Sequence, residues 1–225
     1  MPDTPESTAT AAPNEVWRSL SVGWRQAFDE AWQSWCAGDL GIGAALVDPT
    51  TDTVVSAGRN RVNQAVAEER TLSGNFMAHA EMNAFAALDR FKADGLHLYT
   101  TLEPCLMCAA TTVFLHVEHV HFASTDEFFV GVDDLWNGHE YTSRWKPDRS
   151  GPRDDQLATF ARILPLTRQV GIERGRSAMA MATRHIPTVA ALAVDLTADR
   201  TLHQVAADGG ETLDALRAVW ERISP

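Results

Sequence analysis

Leu96-His97-Leu98-Tyr99-Thr100-Thr101-Leu102-Glu103-Pro104-Cys105-Leu106-Met107-Cys108 is the stretch from which the rest of the chain is read. Residues 96–102 read as a strand. Pro104 follows, where proline is tolerated in the first turn of a helix. That helix is expected over residues 105–115. Cys105 and Cys108 fall in its first turn, and a spacing of three puts both thiols on one face. A helix N-terminus and a bound cation both favour thiolate over thiol.

The partner stretch lies upstream: Met77-Ala78-His79-Ala80-Glu81-Met82-Asn83. His79 opens a helix expected to run to about residue 91, with Ala80, Asn83, Ala84 and Leu88 facing a sheet. Placed at the start of a neighbouring helix, His79 can meet the two thiols from the other side. One imidazole and two thiols are three zinc ligands, which leaves the fourth position of a catalytic site to water. Two thiolates and a neutral imidazole cancel the charge of the ion, so it acidifies water less than one held by three imidazoles. A nearby base is therefore useful. Glu81, two residues from His79, is the candidate, taking a proton from the attacking water and delivering it to the substrate. The competing readings are a redox Cys-x-x-Cys, which has no need of a His-x-Glu, and a structural-zinc binding module. The second wants a fourth ligand; Cys36, His97 and His116 are available, but none stands at a ligand spacing.

Outward from these motifs the chain alternates helix and strand. Val16, Leu20, Trp24, Phe28, Trp32 and Trp35 recur at three and four, an apolar stripe on a helix over residues 16–36 that packs on a sheet. Cys36 at its end reads as a small buried apolar residue. Residues 41–47 form a strand apolar enough to be buried on both faces. A turn leads to its hairpin partner at 53–57, then to the loop Gly58-Arg59-Asn60-Arg61-Val62. Residues 63–75 are long and polar for a connection and read as an insertion, a lid or a short helix. Residues 117–123 are a strand, with His119 and His121 as ordinary sheet residues. Residues 125–134 are a loop or short helix carrying Phe128 and Phe129. Residues 155–170 and 210–223 look helical, the first broken or kinked at Pro165. For residues 187–196 periodicity leaves strand and buried helix open. The pattern is that of an α/β protein.

The chain has 225 residues, 45% apolar and 22% charged, enough for a full core without staples. Its formal charge of −11 makes nucleic acid an unlikely default partner, because phosphate binding needs a basic footprint. The densest basic group, Arg144, Lys146, Arg149 and Arg153, reads as a solvated loop. Three cysteines, two of them in one Cys-x-x-Cys, fit a reducing cytoplasm better than a disulfide framework. The first residues have neither the basic nor the apolar region of a signal peptide and read as a disordered tail. No apolar run approaches the roughly 18 residues of a membrane helix. The expected division is a tail at 1–14, a catalytic domain at 15–145 and a mostly helical C-terminal extension at 146–225.

His79-Ala80-Glu81 with Pro104-Cys105-Leu106-Met107-Cys108 resembles the zinc-dependent cytidine deaminase-like superfamily. Leu98 through Ala109 looks closest to its branch of guanine deaminases and bacterial tRNA adenosine deaminases, and the similarity covers residues 16–134. The resemblance implies a three-layer α/β/α sandwich with a five-stranded mixed sheet in the order 2-1-3-4-5, and a homodimer. It implies that His79, Cys105 and Cys108 hold Zn2+ and that Glu81 shuttles protons. It carries substrate contact to Asn60 and to the backbone amide of Ala80. Asp126 followed by Gly131-Val132-Asp133-Asp134 is similar to a stretch of guanine deaminases, with Val132 where they have Phe, and Asp126 would touch the amino side of a purine. Phe128 and Phe129 lie beside it as candidates for stacking. The implied activity is hydrolytic deamination of a small amino-heterocycle, guanine-like first, with a nucleoside or specialised metabolite as alternative and a tRNA adenosine behind them. The insertion at 63–75 and the C-terminal part depart from both groups of the branch.

Overall fold

The computed structural model describes residues 12–65 and 70–223. The expected tail at 1–14 lies outside the described residues up to position 11, while Pro13 and Asn14 already open a helix, α1 (Pro13–Ser19). The continuous helix expected over 16–36 is two helices. α1 stops at Ser19, and α2 (Val22–Cys36) starts afresh with Ser21 as its N-cap, its hydroxyl accepting from Trp24 N–H. Leu20 keeps the apolar spacing across the break, so hydrophobic periodicity alone passes over it.

The sheet has five strands in the order β2-β1-β3-β4-β5. β1 (Gly43–Asp48) pairs antiparallel with both β2 (Thr53–Arg59) and β3 (His97–Leu102). β4 (His119–Ser124) runs parallel to β3, and β5 (Asp148–Ser150) parallel to β4. The mixed five-stranded sheet with helices on both faces is the architecture expected. Leu102 pairs with Ser124, so β3 and β4 end together at one edge, where open α/β sheets place their sites.

One face of the sheet carries α3 (Ala80–Ala87), four residues shorter than expected at its C-terminal end. Ala80, Ala84, Phe85 and Leu88 pack there with Ala44, Leu46, Leu98 and Val120. α4 (Leu106–Phe114) lies beside α3, with the Thr111 hydroxyl donating to Met82 Sδ at 3.4 Å. Gly58 of β2 is a close-approach position: a Cβ there would sit 2.3 Å from Ala84 N and 2.6 Å from Ala80 O. The small residues of α3 and the missing side chain at Gly58 together let helix and sheet touch backbone to backbone.

The other face carries α2 and a C-terminal helical layer. After α5 (Glu140–Trp145) come α6 (Gln156–Thr167), α7 (Arg176–His185), α8 (Pro187–Ala198), α9 (Thr201–Ala207) and α10 (Thr212–Ile223). Residues 187–196 are therefore helix. Pro165 lies inside the last turn of α6, which ends two residues later instead of breaking at the proline. The apolar stripe of α2 packs on these helices as well as on the sheet. Phe28, Trp32 and Trp35 share one core with Phe160, Leu164, Leu216 and Trp220. Trp32 Nε1 donates to Gly210 O at 2.8 Å, and Trp35 Nε1 to Thr167 Oγ1 at 2.9 Å. Cys36, expected in the core, is exposed at the end of α2; Trp35 takes the inward position beside it.

Two further expectations change. β5 lies beyond the boundary expected at residue 145, because a three-residue polar edge strand has no periodicity to announce it. The basic cluster is not simply a solvated loop. Arg149 pairs with buried Glu103 at 2.7 Å and covers the Phe122 ring, while Arg153 pairs with Asp155 and covers Trp24. His119 and His121 do stand on one side of β4, as expected, and their rings stack at 4.0 Å. His121 Nε2 is 3.2 Å from His97 Nδ1 on the neighbouring strand. The lid or helix expected at 63–75 falls partly outside the described residues, at 66–69. Its described flanks are tied down, Asn63 N–H to Asp39 Oδ1 at 2.8 Å and Leu72 N–H to Asn83 Oδ1 at 2.6 Å. Among the described residues no helix is long and apolar enough to cross a membrane.

Candidate active site

His79 is the N-cap of α3 and Cys105 the N-cap of α4, both with extended backbone. Each helix thus begins on a residue whose side chain turns toward the crevice, and Cys108 follows one turn into α4. His79 Nδ1 lies 3.5 Å from Cys105 Sγ and 3.6 Å from Cys108 Sγ. Tetrahedral zinc, with Zn–N near 2.0 Å and Zn–S near 2.3 Å, requires an N···S edge of about 3.5 Å. The donor set and its spacing therefore fit zinc. Among the described residues this is the group of three whose ligand atoms all lie within 4.8 Å of one another. None of the residues considered for a fourth position joins it. Cys36 is exposed, His97 contacts His121, and His116 is stacked on Trp145 at 3.7 Å.

Glu81 is buried in the first turn of α3, and Cys108 Sγ donates to its Oε2 at 3.4 Å. It is adjacent to the ligand set without belonging to it. Burial raises its carboxyl to about 7, helped by the charge on Cys105 and opposed by His79. The hydrogen bond from Cys108 draws Cys105 down to about 4 against its burial, and Cys108, giving that bond and itself buried, is raised. Burial would lower His79, but its hydrogen bond with Cys105 and the charges of Glu81 and Cys105 outweigh it, leaving it raised. The two thiols are thus pushed in opposite directions by the bond between them, beside a carboxyl raised by burial.

A cavity of about 180 Å3 opens onto these groups. Asn60, His79, Ala80, Glu81, Cys105, Asp126, Phe128 and Phe129 all line it, while Cys108 is buried behind. The loop carrying Asn60 is fixed by Asn60 N–H to Ile42 O at 2.9 Å and Ser34 Oγ to Asn60 O at 2.8 Å. Asn60 Oδ1 accepts from Val62 N–H at 3.3 Å. Glu103 organises the opposite wall: Oε2 accepts from Asp126 N–H at 3.2 Å and Oε1 from Arg149. Asp126 Oδ1 accepts from Phe128 N–H at 3.0 Å, and burial raises its carboxyl.

Sequence reasoning missed part of this lining. Phe76 meets the His79 ring edge-on at 5.7 Å, and its place beside the His79 motif was a usable signal. Arg162, Pro165, Gln169 and Ala178 also line the cavity. They come from α6, α7 and the turn between them, far along the chain, and no local spacing points to them. Arg162 is buried and holds Glu127 in an ion pair.

The family model for the cytidine and deoxycytidylate deaminase zinc-binding region matches residues 19–124. The tRNA-specific adenosine deaminase of Aquifex aeolicus is 31% identical over 115 residues, 49% of this chain and 70% of that protein. The protein of the same name from Bacillus subtilis is 35% identical over 106 residues, 45% of this chain and 60% of its own length. A solved structure from a study of A-to-I editing by tRNA:A34 deaminases superposes with a TM-score of 0.51 at 24% identity, covering 63% of this chain and 99% of that one. That likeness is one of fold.

Proposed function

The chain belongs to the cytidine and deoxycytidylate deaminase zinc-binding family, and from that premise we propose that it hydrolytically deaminates a small amino-substituted heterocycle, a guanine-like purine first, to the oxo product and ammonia. The observation that carries the choice of a small substrate is the wall across the cavity. Arg162, Pro165, Gln169 and Ala178 face the same space as His79 and Glu81. A cavity of about 180 Å3 is small beside the roughly 300–1,000 Å3 of drug-sized pockets. The net charge of −11, with Arg149, Arg153 and Arg162 committed to carboxylates, leaves little basic surface for a phosphate backbone.

In this reading zinc held by His79, Cys105 and Cys108 supplies a Lewis acid and a position for water. Glu81 takes the proton of the attacking water on its carboxylate. It delivers that proton to the ring nitrogen beside the amino-bearing carbon, then takes the hydroxyl proton of the tetrahedral adduct and passes it to the amino group, which leaves as ammonia as the carbonyl forms. Burial holds the Glu81 carboxyl above its ordinary range, which suits a group that both takes and gives a proton. The side-chain amide of Asn60, which lines the cavity, donates to the ring. The Ala80 N–H contacts the polar edge nearest the reacting carbon, and Phe128 and Phe129 flank the ring. Asp126 accepts from the amino side of the purine. α6, the turn after it and the start of α7 act as the closing wall of the cavity. The same reading includes a homodimer in the cytoplasm; exposed Phe91, Leu106 and Phe114 support the first part, which sedimentation tests.

The test is ammonia release by zinc-loaded protein with guanine, adenine, cytosine, their nucleosides and ammeline. Turnover of a free base supports the proposal. The names of the curated relatives favour a second reading, deamination of adenosine in tRNA. Inosine formed in tRNA with no turnover of any small heterocycle would replace the first reading by the second.

A further inference from the structure

Asp126, Phe128 and Phe129 line the cavity from a turn over residues 126–129, outside any helix or strand. Within the turn, Phe129 N–H donates to Asp126 O at 2.9 Å and Phe128 N–H to Asp126 Oδ1 at 3.0 Å. These bonds give the turn its shape. They do not fix where it stands against His79 and Glu81. A loop holds groups at a site only as firmly as the scaffold holds the loop.

Two arginines from beyond residue 145 supply that hold. Glu127 sits between Asp126 and Phe128, and its carboxylate accepts from Arg162 of α6 through both Nε, at 3.2 Å, and Nη2. Both side chains of this pair are buried. Beside it, buried Glu103 accepts from Asp126 N–H at 3.2 Å and from Arg149 of β5 at 2.7 Å. A buried ion pair adds little net stability over hydrocarbon of the same shape. What the fork between guanidinium and carboxylate does add is direction, since two parallel N–H···O bonds fix distance and angle together.

We propose that Arg162 is a positioning residue: through Glu127 it fixes the 126–129 turn, and so sets where the Asp126 carboxylate and the Phe128 ring meet the bound heterocycle. This rests on the small-heterocycle reading above, in which Asp126 and Phe128 touch the ring. Recognition of the substrate then depends on the C-terminal helical layer, which carries Arg162, as well as on the helices that bear His79 and the two cysteines. The groups held in this way bind the ring and do not move its protons. Loss of the hold therefore raises KM and leaves kcat nearly unchanged.

The experiment uses the full zinc-loaded chain, the panel base that it turns over best, and two variants. Arg162→Met with Glu127→Met replaces both charges by apolar side chains of similar length, so Tm should stay near that of wild type. Arg162→Lys keeps the charge and loses the fork. Each should raise KM about tenfold or more, the loss expected when a hydrogen bond to a charged group is no longer aligned, with kcat changed by less than about threefold. In the unliganded protein, amide hydrogen exchange over residues 126–129 should quicken about tenfold or more while β3 and β4 keep their protection. Wild-type KM in the double variant would overturn the proposal, whatever the exchange. A raised KM with unchanged exchange also overturns it, since Arg162 would then touch the substrate itself. A lower Tm with quicker exchange throughout the chain is general loosening and overturns it as well. Should the double variant not fold, Arg162→Lys decides on the same readings. If no heterocycle is turned over at all, the small-substrate reading fails, and exchange over 126–129 decides alone whether Arg162 holds the turn.

Discussion

Replacing Gly58 by alanine tests whether the site depends on the contact between β2 and α3. The added Cβ would stand 2.3 Å from Ala84 N, 2.6 Å from Ala80 O and 2.6 Å from Asn83 C, all of them backbone atoms. An ordinary contact lies near 3.5 Å, so α3 has to withdraw by about 1 Å. Overpacking of this kind costs about 1–3 kcal/mol. For a chain of this size each kcal/mol lowers Tm by about 2–4 °C, so a loss of roughly 2–12 °C is expected. The catalytic consequence is larger in proportion, because α3 carries His79 at its N-cap and Glu81 in its first turn. A displacement near 1 Å in a reacting constellation costs about 100-fold in rate. Thermal unfolding and ammonia release, measured on the same zinc-loaded preparation, check both figures. Gly138→Ala is the control, since a Cβ there meets nothing within 4 Å. Gly58→Ala with the Tm and kcat of wild type would refute the claim that backbone contact positions the site.

Glu81→Gln should bind zinc at the wild-type stoichiometry and lose about 10²–10⁴-fold in kcat, the usual share of general acid–base catalysis; metal analysis beside a rate assay checks this, and full turnover would remove Glu81 from the reaction. His121 is held at about 4, by burial first and then by His119 and His97, against an unfolded value near 6.5. Between those values the unfolded chain binds a proton that the folded chain does not, so stability falls as pH drops from about 6.5 toward 4. Tm measured at pH 7 and pH 5 should fall less in His121→Gln than in wild type, and equal falls would refute the assignment. The Arg162–Glu127 side chains are 5% and 9% exposed. Arg162→Met strands a buried carboxylate and should cost about 3–5 kcal/mol in urea unfolding, and Arg162→Met with Glu127→Met should recover most of it; a double variant no better than the single one would show that the ion pair is not the source of the loss.

Much of the metal-centred chemistry was legible in the chain alone. His79 and Glu81, and Cys105 and Cys108, lie two and three residues apart, and spacings that short translate directly into positions on a helix start. Pro104 marked where one of those helices begins, and the family resemblance supplied the sheet order. What the chain concealed depends on pairing between distant segments. β5 has three polar residues, and only its bonds to β4 make it a strand. Cys36 and Trp35 are neighbours with opposite fates, because Trp35 finds Thr167 across 132 positions and Cys36 faces out. Arg149 and Arg153 looked like solvated charge until Glu103 and Asp155 met them. The greatest difference is the far wall of the cavity, where Arg162 and Gln169 arrive from α6 and the turn after it. Sequence encodes the reach of one helical turn, and so it determined which groups stand together at the two helix starts. Only the packing of α6 on α2 and the sheet brought a second wall to them, and that wall bounds the space in which a substrate must fit.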